Sequence, residues 1–258
     1  MNLLDMVDEA LSPVGEAFRN PLRLLFLIAF DRLKVAEVGN PVIHHVVVLR
    51  HAILLALAED LSPLVLGGAA LTHDSAPVEK VRTADVEAQI DQGAAQRLER
   101  RRVQCRILHM REGAAMGMRL MAYVNQVTDN ELFSRDVVER VFSINCVHDD
   151  PTIGHPLPDE PDYHAFRAAD RLWQLAEGFS LDLERNRSHA RWAQLSEHDL
   201  AAKHLADLKR NYAAERQLYP ATASGFFGST MLRSSAAFRL YSELVQKRSI
   251  EYGLGTVA

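Results

Sequence analysis

The sequence predicts an all-α fold, a helical bundle with a helical C-terminal extension. Apolar residues recur at helical spacing in nearly every segment, and no stretch sustains the period-two alternation of a strand. Helix start and stop signals fall between the periodic segments. With 258 residues, 48% of them hydrophobic, the chain can bury one large core, or one core plus an extension.

Asn20 followed by Pro21 reads as an N-cap and a first-turn proline, opening a helix that runs to about Ala36. Gly39, Asn40 and Pro41 punctuate it, and a second helix covers about Val42 to Glu59. Ser62 and Pro63 repeat the start signal for a third, Leu64 to about Asp74. Thr83 to Thr128 is strongly helical, with a break expected near Glu112–Gly113. Asn130 to Val147 follows, its apolar stripe made by Val137, Val138, Val141 and Phe142. The segment Asp149 to Asp162 holds Pro151, Pro156, Pro158 and Pro161 and reads as a long loop, a common place for function. A helix from about Asp162 to Glu177 comes next. The remainder, through Ala258, is helical with a break around Tyr219 to Gly228. No repeat or low-complexity linker divides the chain, so residues 1–180 read as one domain and 181–258 as an extension packed on it.

Composition excludes several function classes. The formal charge of −5 argues against a partner with a nucleic acid backbone. The one basic cluster, Arg97, Arg100, Arg101 and Arg102, is flanked by Glu87, Asp91 and Glu99 and reads as a solvated helix face. The longest apolar run, Leu24 to Phe30, is far short of the roughly 20 residues that cross a bilayer. Asp5, Asp8 and Glu9 stand where a secretory signal would be basic and then apolar. Two cysteines, Cys105 and Cys146, imply no disulfide framework, so a reducing, cytoplasmic setting is expected.

The eleven histidines carry the chemistry. His73 and Asp74 end the apolar run Val65, Leu66, Ala69, Ala70, Leu71, where a helix terminus frees both side chains to reach one centre. His44 stands on an apolar helix, and its spacing to Val48 and Ala52 selects it over His45. His51 reads as a surface or packing residue. His109 precedes Gly113 and Ala114; His148 stands beside Asp149; Asp170 lies amid Phe166, Ala169, Leu172 and Trp173. A buried carboxylate is costly unless paired or metal-bound.

The order His44 … His73-Asp74 … His109 … His148 … Asp170, with Leu-His-Met-Arg-Glu-Gly-Ala around His109 and Ala-Ala-Asp-Arg-Leu around Asp170, resembles the HD-domain superfamily over residues 40 to 176. That resemblance implies an HD-domain-like helical bundle holding two divalent metal ions, iron first, with manganese or zinc as alternatives. His44, His73, Asp74 and Asp170 match the basic quartet, and His109 and His148 the added pair. Asp74 would be the bridging and catalytic carboxylate, since two metals can activate a shared hydroxide and clamp a phosphoryl oxygen. The short Gly-Lys element that many members carry after the His-Asp pair is missing. Ser75-Ala76-Pro77-Val78-Glu79-Lys80 follows instead, making Lys80 the candidate to offset phosphate charge. Asp149 and Arg233 are weaker candidates for substrate binding, and Arg233 shares its segment with Ser224, Ser229, Thr230 and Ser234. His155 in Gly-His-Pro only faintly resembles a cyclic dinucleotide phosphodiesterase loop. The function expected is hydrolysis of a small phosphate ester or nucleotide. A mixed-valence di-iron oxygenase acting on a small polar or phosphonate substrate is the alternative, and a non-catalytic sensor the third reading.

Overall fold

The structure, a computed structural model, describes residues 2–35, 42–76, 86, 89, 91–188, 192–218 and 233–255. Among them every regular element is helical, ten α-helices and three short 3-10 turns, so the all-α expectation holds. None of the described helices is long and apolar enough to cross a membrane. The expected helix end at Ala36, the punctuation at Gly39 to Pro41, the start at Thr83, Glu87, Lys80, and the break at Tyr219 to Gly228 lie outside the described residues.

Helix α1 (Leu3–Ala10) opens on a reciprocal capping box between Asn2 and Asp5. Helix α2 (Glu16–Val35) begins five residues earlier than Pro21 predicts, and Pro21 lies inside it. The early turn is held by other donors. The Gly15 carbonyl accepts from the amides of Phe18 and Arg19, and the Asn20 amide donates to Glu16 at 2.8 Å. The Arg19 guanidinium donates to the carbonyls of Leu11, Ser12 and Val14, tying this turn to the end of α1.

Helices α3 (Val42–Ala58) and α4 (Pro63–Thr72) are apolar almost all round, as helices at the middle of a fold must be. Leu49, Ile53, Leu55 and Leu66 are fully buried between them and their neighbours, each stabilising the fold by roughly 1.5–3 kcal/mol. Around this pair pack α2, α5 (Gln92–Thr128), α6 (Arg135–Val147) and α7 (Pro161–Leu172).

Helix α5 runs unbroken through Glu112 and Gly113, against the expected break. Gly113 is buried against α4, and packing on both sides carries the helix across a residue that intrinsically disfavours it. Helix α6 starts at Arg135, capped by Ser134, not at Asn130. The residues before it form a turn: Asp129 adopts φ 51°, and the Asn125 side chain bonds both the amide and the carbonyl of Phe133. Arg102 is buried, not solvated, because its guanidinium is clasped by Glu99 and reaches the Thr152 carbonyl. That carbonyl belongs to a 3-10 turn, Asp150–Ile153, inside the segment expected to be irregular.

After α7 a 3-10 turn (Trp173–Leu175) leads to α8 (Gly178–Arg187), α9 (Glu197–Ala214), a third 3-10 turn (Glu215–Leu218) and α10 (Ser235–Glu251). These C-terminal helices lie on the bundle through buried polar contacts. Arg248 donates to the carbonyls of Leu175 and Ala176 at 2.8 and 2.6 Å, and the Tyr212 hydroxyl donates to the Arg171 carbonyl.

Candidate metal centre

Helix α4 ends where the chemistry begins. His73 is its C-cap, its amide still bonded to the Ala69 carbonyl, and Asp74 is the next residue, so both stand at the helix end while the apolar body of α4 anchors them in the core. The His73 Nδ1–H donates to the Ala70 carbonyl at 3.1 Å, which leaves the Nε2 lone pair facing inward. His148, the C-cap of α6, repeats the device: its Nδ1–H donates to the Asn145 carbonyl at 2.8 Å.

Four histidines and two aspartates from α3, α4, α5, α6 and α7 meet. His44 Nε2 lies 2.9 Å from His73 Nε2, and the two lie 3.4 and 3.5 Å from Asp170 Oδ1. Ligand atoms bound at about 2.1 Å to one cation stand roughly 3 Å apart at right angles and about 3.4 Å apart at the tetrahedral angle. Those separations are the ones observed. On the other side of Asp74, His109 Nε2 is 2.5 Å from Oδ1, and His148 Nε2 is 3.9 Å from the same oxygen. Two groups can therefore each hold a metal ion, His44–His73–Asp74 and Asp74–His109–His148, with ligand atoms within 4.8 Å of one another. Asp74 belongs to both.

Protonation suits cation binding. Burial drives the His148 imidazole down to about 4. Burial would raise the Asp170 carboxyl, but the neighbouring His73, and then His44, bring it well below the usual carboxylate range. Neutral imidazole and ionised carboxylate are the states a divalent ion requires. A wholly N/O donor set suits iron, manganese or zinc and does not choose among them. Aromatic rings flank the His44–His73 side: the Trp173 ring meets His44 edge-on at 5.0 Å and Phe166 meets His73 at 5.4 Å.

Close approach of α5 to the end of α4 depends on two glycines. A Cβ on Gly113 would fall on the His73 carbonyl oxygen, and one on Gly117 would lie 2.6 Å from Thr72 Oγ1. Gly113 is one turn after His109, so the spacing His109–Gly113 has a physical reason. The glycine lets the two ligand-bearing backbones touch. Ser75 and Asn145 complete the junction, with Ser75 Oγ donating to the Thr72 carbonyl and Asn145 Nδ2 to Thr72 Oγ1.

The other sequence candidates lie elsewhere or serve differently. His45 and His51 are buried, with Nδ1 facing the carbonyls of Ala70 and Ala169. Arg233 bonds Asp159 and His164, in a cleft that none of the six ligands lines. Asp149 is 6% exposed and is no exposed loop acid. Burial would raise its carboxyl, but Arg106, then His148 and Arg167, hold it well below the carboxylate range. Lys80 lies outside the described residues. Arg106, Asn145, Arg167 and Glu215, all around the centre, are residues that sequence reading misses. Their one signal is that Arg106, Asn145 and Arg167 each precede a ligand by three residues, a spacing too common to stand out.

No family model, curated protein or solved structure matches the chain.

Proposed function

We propose that this chain is a metal-dependent hydrolase of the HD-domain type, acting on a small phosphate ester or nucleotide. The observation that carries the reading is the sharing of Asp74 between two buried ligand groups. A carboxylate common to two triads is what a two-cation hydrolytic centre needs. Bound there, two divalent ions would acidify a water between them and draw charge from a phosphoryl oxygen.

The protein's own contribution is positional. His44, His73 and Asp170 would hold one ion, and His109 and His148 the other. The Ala70 and Asn145 carbonyls fix the tautomers of His73 and His148, so each Nε2 faces the centre before any ion arrives. Phe166 and Trp173 keep bulk water from the His73 and His44 rings and strengthen the local fields. Asp74, shared by both groups, is the ligand that would tie the two ions together.

The test is direct. The protein is purified without chelators, its metals are identified and counted, and release of p-nitrophenol from p-nitrophenyl phosphate and bis-p-nitrophenyl phosphate is followed without oxygen. Two metals per chain with anaerobic p-nitrophenol release support the reading. Two irons with oxygen uptake that depends on an added polar or phosphonate substrate, and no hydrolysis, overturn it in favour of the oxygenase alternative. A chain that holds no metal overturns both.

A further inference from the structure

Asp149 follows the ligand His148 in the chain and is buried between two guanidinium groups. Arg106 takes one carboxylate oxygen from α5, three residues before His109. Arg167 takes the other at 3.1 Å from α7, three residues before Asp170. Residues three apart share a helix face, so each arginine lies beside the ligand that follows it. One carboxylate thus joins α5, the end of α6 and α7, the three elements that carry His109, His148 and Asp170.

Arg167 extends the device. It is 1% exposed, donates to the His148 carbonyl at 3.1 Å, and approaches Asp170 Oδ2 at 3.8 Å. Its other nitrogen donates to Glu215 at 2.7 Å, directly after α9. The Thr152 hydroxyl donates to Asp149 at 3.2 Å. Two arginines, one aspartate and one glutamate balance in charge inside the fold. Buried ion clusters of this kind add little net stability compared with apolar packing, and their best-attested use is to fix one register among several.

We propose that Asp149, gripped by Arg106 and Arg167, is the positioning residue that sets the His109–His148 group against the His44–His73–Asp170 group. Through Glu215, the C-terminal helices belong to the same device. This rests on the two-metal reading above. Loss of an outer partner of this type lowers metal affinity by about 10–100-fold, and the geometry puts the larger loss on the His109–His148 metal, because Asp149 adjoins His148 and Arg106 flanks His109, whereas only Arg167 approaches the other group, at Asp170.

The full-length chain, stripped by chelation and dialysed, is titrated with Co(II), following d–d absorption and bound metal by mass spectrometry. Asp149→Asn and Glu215→Gln are compared with wild type and with Arg140→Gln. The last breaks the ion pair of Arg140 with Asp162, a second link between α6 and α7 that touches no ligand. Wild type is expected to take two equivalents. Asp149→Asn keeps the first and binds the second about 10–100-fold more weakly, with unchanged helical circular dichroism. Glu215→Gln shifts the second equivalent in the same direction by a smaller factor, and Arg140→Gln leaves both in place. If Asp149→Asn fails to fold, Glu215→Gln decides alone, against Arg140→Gln. The positioning role is overturned if the variants bind both equivalents as wild type does, lose both equally, or are matched by Arg140→Gln. Wild type that takes up no Co(II) overturns the two-metal reading and this proposal with it.

Discussion

Replacing Gly113 by alanine tests whether the meeting of α4 and α5 builds the centre. In an ordinary helix interior this change would stabilise by about 0.8–1 kcal/mol. Here the added Cβ falls on the carbonyl oxygen of His73, well inside the 3.0 Å that real Cβ contacts respect, and 3.3 Å from its carbonyl carbon. A backbone atom cannot rotate away as a side chain can, so α5 or the His73–Asp74 turn must shift. Overpacking of this type costs about 1–3 kcal/mol, which offsets the propensity gain and leaves a net loss of up to about 2 kcal/mol. For a chain of this size that lowers Tm by up to roughly 8 °C. The shift also moves ligand atoms on both sides of Asp74, so both metals bind more weakly. Gly93→Ala is the control, since its Cβ would meet only the flexible ends of Arg97 and Asp91, at 3.3 and 3.4 Å. Melting of chelated protein and metal content of untreated protein are the two readouts. A Gly113→Ala protein more stable than wild type and still holding two metals would refute the packing argument.

Three further outcomes follow from the same geometry. Asp74→Ala removes the shared ligand and is expected to abolish binding of both metals, whereas His109→Ala lowers the count by one; equal losses in the two variants would contradict a bridging Asp74. Chelation is expected to lower Tm, because ions held only by the folded chain stabilise it by mass action; an unchanged Tm argues that the buried cluster binds nothing. Burial, helped by Arg50, lowers His51 from its ordinary 6.5 to about 4. Its neutral form belongs to the fold, so the unfolded chain protonates first. The associated stability is complete above pH 6.5 and lost as pH falls towards 4, amounting to about 3 kcal/mol. Denaturant unfolding of chelated wild type and His51→Gln at pH 7 and pH 4 measures it, and equal acid sensitivity in the two would contradict the assignment.

Helical periodicity made the fold class legible, because α3 and α4 are apolar all round and the outer helices carry stripes. Boundaries were less legible where long-range contacts override local signals. Pro21 lies inside α2 because Arg19 and Asn20 secure the turn before it, and Gly113 lies inside an unbroken α5 because α4 covers it. The ligands were legible because histidine and aspartate on apolar stretches have no packing role that a hydrocarbon would not fill better. The arginines around Asp149 were not. Arg102 shows why: a basic run at helical spacing reads as solvent-facing until the partner turn at Thr152 is in place.

The centre uses one local device twice, and the difference between the two copies explains its asymmetry. His73-Asp74 ends α4 and His148-Asp149 ends α6. In each pair the histidine caps the helix and turns Nδ1 back to a carbonyl three residues earlier, and in each the aspartate is nearly buried, 7% and 6% exposed. Both helix ends also direct their partial negative charge at the same volume, which favours cations there. Asp149 is met by Arg106 and Arg167, one guanidinium at each carboxylate oxygen. Asp74 has four imidazoles around it, within 2.5 to 3.9 Å of its oxygens. The same dipeptide thus forms an ion-pair clamp at the end of α6 and, in the two-metal proposal, would be the shared cation ligand at the end of α4.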